Sequence, residues 1–586
     1  MNKYMFHRAL MYLGTIILIA YLIIYFLGCS KNPIDAAVEN VKLIANFHPM
    51  STVVTGKIVD AATGELISSR DAQVTILSAN SSDIIDLSGK EKSDFISESG
   101  FLAFGLKKNI LFSENTPYNL RVMVHVDGYI SSGTNINVTS EAGCQFILRM
   151  VNIDNPPEGV VVVRSEAGET DLNGITQYEK VIETPGELET QTYAKVRIPE
   201  SIKILDKNGL PLQGSLNAVV AYFSNQSSSA LQSFPGGFDA NIRNSITGEL
   251  EDGTFISGGF VAVEIFDQSG RQAKTFNKTT QNLAKMNSTQ DGENAAIEFS
   301  VQVPGETINP ETNSPVKEND TIGIWSYDLS SGEWQDEGVD TLKGADDNGN
   351  YTVTFPVEHL SYWNLDWKGL RCEKSGTIKF ISNKPNVRLL VRMVRRIGGG
   401  FIREVYVTPA IDPVLGFLNA PANLPVTLYI YAPCNILVGV VEIDDLCSFG
   451  YREVEVTVPS NPNAPDGEKE LRCQFTAVCN DTIAGIATEI RPTMPVWVKR
   501  ENECENGSYW DFLDLMQDGK IKLTLAVPET YCFAAVYNGK YKEVTIDVRE
   551  DNSLFVYEKQ KVYKSYLKDG LLTFDVIDEP EICNEL

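Results

Sequence analysis

From Thr52 onward, apolar residues recur at every second position in short runs. Val54-x-Gly56-x-Ile58, Ala72-x-Val74-x-Ile76 and Tyr118-x-Leu120-x-Val122-x-Val124 set the rhythm, which returns at 160–164, 194–198, 218–223, 259–266, 296–303, 321–327 and 351–355. Successive side chains of an extended chain point to opposite faces, so this spacing predicts strands with one buried and one wet face. Between the runs stand Thr63-Gly64, Asp127-Gly128, Lys207-Asn208-Gly209, Gln268-Ser269-Gly270 and Asp347-Asn348-Gly349, where glycine supplies the positive φ of a tight turn. Pro33–Phe47 and Tyr509–Met516 carry helical spacing instead, and each predicts one short helix. The expectation is a mainly β chain, built of several serial β-sandwich domains of Ig-like or transthyretin-like type after an N-terminal signal or anchor segment.

Linker composition at Asn155-Pro156-Pro157 and at Pro459–Gly467 divides the chain further. The segments read as a leader (1–28), a tether (29–50), a first sandwich (51–152), a larger β domain with a tryptophan-rich C-terminal part (158–368), two sandwich modules (371–460 and 470–550) and closing strands (551–586). Leu370-Arg371-Cys372 recurs as Leu471-Arg472-Cys473, and Tyr451–Val458 recurs as Tyr541–Val548, which predicts that the last two modules are related to each other.

The leader fixes the compartment. Lys3, His7 and Arg8 precede an apolar run of 19 residues, Ala9–Leu27, followed by Gly28-Cys29 and the polar Ser30, Lys31 and Asn32. A basic start, an apolar run and a small residue before a cleavage point form an export signal. A cysteine at the apolar-to-polar switch resembles the lipobox of bacterial lipoproteins. That resemblance implies a mature chain beginning at an acylated Cys29, lipid-anchored to the outer membrane of the cell envelope. The run is also long enough to span a bilayer, so the alternative is a single-pass N-terminal anchor. Either way, residues 30–586 are expected outside the cytoplasm.

Two further resemblances concern fold. Val54-x-Gly56-x-Ile58-Val59-Asp60 with Thr63-Gly64, and Tyr118-x-Leu120-x-Val122 with Gly128-Tyr129, resemble the carboxypeptidase regulatory-like (transthyretin-like) β-sandwich. This implies a spacer, a packing partner or a binding accessory. Phe234-Pro235-Gly236-Gly237-Phe238, Ile324-Trp325-Ser326-Tyr327-Asp328 and His359-Leu360-Ser361-Tyr362-Trp363 are similar to a module of bacterial surface lipoproteins and, more distantly, to the extracellular part of astroprincin-type membrane proteins.

A net charge of -27 argues against nucleic acid, whose phosphates need a basic surface, and against electrostatic docking on anionic lipids. The cysteines suit an oxidising space: Cys372, Cys434, Cys447, Cys473, Cys479, Cys504, Cys532 and Cys583 are disulfide candidates, with Cys434 and Cys447 a local pair and the overall connectivity open. No CxxC pair or histidine neighbours them, so no zinc or other metal is expected, and no cofactor.

Catalytic constellations are missing. Of the histidines His7, His48, His125 and His359, only His359 has chemical company, in Glu358, Ser361 and Tyr362, yet adjacent strand residues face opposite ways and do not make a triad. Gly344–Asn350 offers oxygen ligands at alternate positions but lacks the glycine and glutamate of a calcium loop, so it reads as a hairpin turn. Aromatics are the candidate binding groups. Trp325 lies inside an alternating strand and is assigned to the core, as are Trp497 and Trp510. Trp334, Tyr362, Trp363 and Trp367 are the candidate ligand-binding residues, with Trp334 expected to be exposed at a hairpin. The functional expectation is an exported, non-enzymatic binding or adhesion module for a glycan, a peptide or a cell-envelope protein. The alternatives are a structural stalk and a carboxylate-dependent glycoside hydrolase.

Overall fold

The computed structural model describes residues 43–46 and 50–577 apart from short internal stretches, the longest of which are 279–296, 460–466, 480–487 and 501–509. Strands make up 62% of it and helix 2%, so the chain is mainly β, as its alternation predicts. The strands form serial β-sandwich modules.

Three of the modules repeat one topology. In the first, Met50–Asp60 lies between the antiparallel Phe101–Lys107 and the parallel Cys144–Met150. The facing sheet runs Asp94–Ser97, Ala72–Leu77, Tyr118–His125, Ser132–Val138. In the third module, Thr377–Ser382 takes the central place, between the antiparallel Val414–Gly416 and the parallel Tyr451–Val456. In the last, it is Gly467–Cys479, between the antiparallel Lys520–Val527 and the parallel Leu571–Ile577. The facing sheets follow the same order in each, and the last adds one strand, Leu554–Glu558.

The kinship of the last two modules is therefore topological, but the matched sequences are not equivalent. Tyr451–Val456 is the parallel closing strand of its module, whereas Lys540–Val548 lies in the opposite sheet between Glu529–Tyr537 and Leu554–Glu558. The strand equivalent to Tyr451–Val456 is Leu571–Ile577, so the last module extends through the segment expected only to add closing strands.

The second module is built differently. Its seven-stranded sheet contains the 18-residue strand Leu250–Asp267, which pairs with Gly214–Phe223, Asp239–Arg243 and Tyr362–Gly369. Through the last of these pairings the sheet closes on itself. A four-stranded sheet, ending in Tyr351–Val357, covers it across a core that includes Phe299, Val301, Phe355, Trp363 and Trp367.

Two helix expectations are corrected. Asp511–Met516 is a strand paired with Met494–Arg500. Of Pro33–Phe47, Leu43–Asn46 is a strand, parallel to Thr488–Arg491 of the last module. The leader, Cys29, Cys504 and Cys583 lie outside the described residues. Among the described residues, no helix is long and apolar enough to cross a membrane.

Candidate functional site

The first module sits among the other three, and its outward-facing residues define the junctions. Along Phe101–Lys107, Leu102, Phe104 and Leu106 fill the module's own core. Phe101 and Ala103 point the other way and join a core with Trp497, Ala534 and Tyr531 of the last module. The Phe101 ring lies 4.5 Å from Trp497 and 5.6 Å, edge-on, from Trp510. Two sheets thus pack face to face across a boundary between modules that are remote in sequence.

The junction with the second module is aromatic and charged. Met123, Ile130 and Val151 enter a cluster with Phe234, Phe238, Phe255, Tyr327 and Trp334. Gly236 donates its backbone N–H to Gly133 O across the junction at 2.8 Å. A side chain at Gly236 would meet Tyr327 at 2.8 Å, so close approach of the loop requires glycine there. Glu333 accepts from Arg121 of the first module at 2.5 Å and from Arg243 of its own module. Nearby, Ser131 N–H donates to the buried Glu264 at 3.2 Å, and His125 Nδ1 lies 2.9 Å from Ser131 Oγ. Burial pushes the Glu264 carboxyl up, while Ser131 and His125 oppose that shift. His125 Nε2 also lies 3.5 Å from Asp127, which completes a serine–histidine–aspartate series. The series is not arranged for nucleophilic attack: Ser131 is buried against Glu264, and Asp127, at 91% side-chain exposure, is the outermost member.

The aromatic candidates lie in cores. Trp334 is fully buried, which corrects the expectation of exposure. Its hairpin tip is roofed by the 234–238 loop: Trp334 Nε1 donates to Pro235 O at 3.2 Å and the indole stacks on Phe234 at 4.9 Å. Tyr362, Trp363 and Trp367 are buried as well, so none of the four candidates presents a ring face for a ligand to stack on. His359 stacks on Trp363 at 5.0 Å and pairs with Glu337 at 3.4 Å. Asp346 Oδ1 accepts the N–H groups of Asn348 and Asn350 at 2.9 Å, which makes 346–350 a hairpin turn. Among the described residues no group of three His, Cys, Asp or Glu could hold a metal ion.

The disulfide expectations also change. Cys447 pairs with Cys372, not with Cys434, and Cys434 is disulfide-bonded elsewhere. Cys473 is a free thiol. Cys473 lies inside the last sandwich, where burial pushes its thiol up to about 12. Cys532 instead contacts Glu543 and Thr545.

Two charged groups at the junctions escaped sequence reasoning. Asp366 is fully buried beside Asn364, with Oδ1 lacking a hydrogen-bond partner, and burial raises its carboxyl to about 8. The same burial lowers the nearby Arg395 of the third module to about 10. The second group lies where the first, third and last modules meet. Lys57 Nζ donates to Trp510 O at 2.7 Å. Glu404 of the third module accepts from Arg149 of the first and from its own Arg392, each at 2.8 Å. The Arg388 guanidinium lies 3.8 Å from the centre of the Tyr406 ring. No sequence signal marks these residues, because they come from separate modules and meet only in the fold.

No family model matches this chain. No curated protein matches it either. Among solved structures it is similar to the C-terminal fragment of the pilus adhesin SpaC from Lactobacillus rhamnosus GG, at 7% identity and a TM-score of 0.14, over 35% of this chain and 97% of that one. It is also similar to BcpA, the major pilin subunit of Bacillus cereus, at 8% identity and a TM-score of 0.14, over 90% of this chain and 99% of that one. A third likeness is to the pilus protein RrgB from Streptococcus pneumoniae, at 8% identity and a TM-score of 0.13, over 83% of this chain and 91% of that one.

Proposed function

We propose that this chain is a non-enzymatic binding protein of the bacterial cell envelope, displayed outside the cytoplasm by its leader and anchored through lipid on Cys29. The observation that carries the reading is the shared core between the first and last modules, through Phe101, Ala103, Trp497 and Ala534. A stalk gains reach by joining modules end to end. Here the last module returns to the first, so added chain thickens the body instead of lengthening it. Histidines committed to Ser131, Glu337 and Trp363 are not placed as an acid–base pair for hydrolysis, and the buried Asp206 and Asp267 are both engaged by Arg271. What the body offers is outward-facing loops on a rigid scaffold, the usual setting for recognition.

The test is to present the purified ectodomain to glycan, peptide and matrix-protein arrays, with small-angle scattering on the same sample. Saturable binding to one ligand class supports the reading, together with a radius of gyration not far above the roughly 24 Å of a compact body this long. Silence on every array together with an elongated particle would favour the stalk. For the anchor, Cys29→Ser is expected to abolish incorporation of a labelled fatty acid and to release the ectodomain from the membrane fraction.

A further inference from the structure

Among the described residues, the seam where the first, third and last modules meet carries more positive than negative charge. Its cations are Lys57, Arg149, Arg388 and Arg392, and its carboxylates are Glu404 and Asp511. Glu404 is already shared by Arg149 and Arg392. Asp511 is left for both Lys57 and Arg388. The chain as a whole has a net charge of -27, so this excess runs against its general character. The four cations are partly buried, and uncompensated charge held partly out of water is costly and is retained where something neutralises it.

The hydrogen bonds point the same way. Among the described residues, the Arg388 guanidinium donates no hydrogen bond, although it carries five N–H groups and is desolvated against Tyr406. The Tyr406 hydroxyl likewise has no hydrogen-bond partner among the described residues, and burial pushes it up to about 12. Lys57 spends one N–H on Trp510 O and has two more to give. Burial first, then the Arg388 and Arg149 guanidiniums, draw the Lys57 ammonium down to about 8 against the pull of Asp511 and Glu404. A planar fork just ahead of the strand Leu389–Arg395, a point charge on the strand Met50–Asp60 and a hydroxyl donor on the strand Phe401–Val407 are the elements from which oxyanion sites are built.

We infer that the three-module seam is a binding site for a tetrahedral oxyanion of the sulfate or phosphate type, held by Lys57, Arg388 and Tyr406. A dianion would match the excess of two positive charges that Glu404 and Asp511 leave against the four cations. The inference does not depend on what the displayed loops bind. Because the donors come from the first and third modules, the bound anion would also cement them together.

The experiment follows thermal unfolding of the ectodomain in about 5 mM sulfate, phosphate or chloride at matched ionic strength, low enough that general salting effects are small. Sulfate or phosphate, but not chloride, is expected to raise Tm by about 3 °C. Lys57→Met and Arg388→Met relieve repulsion between like charges, so both variants are expected to fold in chloride and to lose the increment. A second readout is the NMR titration of reductively methylated Lys57, whose midpoint should move up towards the ordinary lysine value when sulfate is added. Sulfate supporting the increment while phosphate does not, or the reverse, would identify the preferred anion. Equal Tm gains in chloride, gains that survive in both variants, or a Lys57 titration unmoved by either oxyanion would overturn the inference.

Discussion

Asp366 shows how a single buried carboxyl writes itself into the pH response of the molecule. Its folded value, near 8, lies above the ordinary carboxylate range because burial penalises the charged form more than Asn364, Ser257 and Arg395 favour it. A raised carboxyl contributes stability that is fully present below the unfolded value near 4 and is lost as pH rises through about 8. Chemical denaturation is therefore expected to show stability falling between pH 5 and pH 8, by up to about 1.4 kcal/mol for each pH unit from this group. Asp366→Asn should flatten that slope relative to the parent. Glu404 behaves in the opposite sense. The guanidiniums of Arg149 and Arg392 hold its carboxyl down against desolvation, so the pairing is kept above the ordinary glutamate value and is lost as acid titrates it. Glu404→Ala leaves two guanidiniums facing each other without their shared partner, and an equilibrium denaturation loss of about 3 kcal/mol is expected at neutral pH.

Among the local motifs, one turn recurs throughout the chain. In 171–175, 206–210, 267–271 and 346–350, an aspartate side chain accepts the N–H groups two and four residues on. In each, the glycine N–H returns to the aspartate carbonyl at 3.0 Å. This Asp-x-Asn/Ser-Gly signature is legible in the sequence because the chemistry is contained in five consecutive residues. At Gly349, φ is +82° with open space where a side chain would stand, so Gly349→Ala tests conformation alone. A loss of about 1 kcal/mol is expected by denaturation. Longer-range features were harder to read. Asp511–Met516 looks helical because its alternation is broken, and the cause is a bulge: Val496 faces Asp514 while Trp497 faces Phe512, which skips Leu513. The information that makes it a strand sits in its partner. Trp334 misleads for a similar reason, since its hairpin is covered by a loop about a hundred residues earlier in the chain. The Cys372–Cys447 bond spans 75 residues, and nothing local to Cys447 distinguishes that partner from the nearer Cys434. Cys372→Ser is expected to lower the stability of the third module by about 4 kcal/mol, the entropy of closing so long a loop.

For the molecule as a whole, the decisive property is that contacts remote in sequence hold the modules together. Phe101→Ala removes the ring that meets Trp497, Trp510 and Tyr541. A cost of about 3 kcal/mol is expected, concentrated at the boundary between the first and last modules. Scattering should then show a larger particle, and proteolysis should release the last module before the others unfold. The sequence made the module type legible, since alternation and turns are properties of each strand by itself. It did not reveal the return of the last module to the first, because Phe101 and Ala103 read as one more strand of their own sandwich until their outer face is seen to be covered.

The strand Leu43–Asn46 finds its neighbour at Thr488–Arg491, near the other end of the chain. During synthesis Leu43–Asn46 therefore emerges early and waits for its partner while more than four hundred residues follow it. Only a translation product carried through to its final module can bury that edge. A message cut short would yield a polypeptide whose Leu43–Asn46 segment has no strand to pair with, an open target for proteolysis.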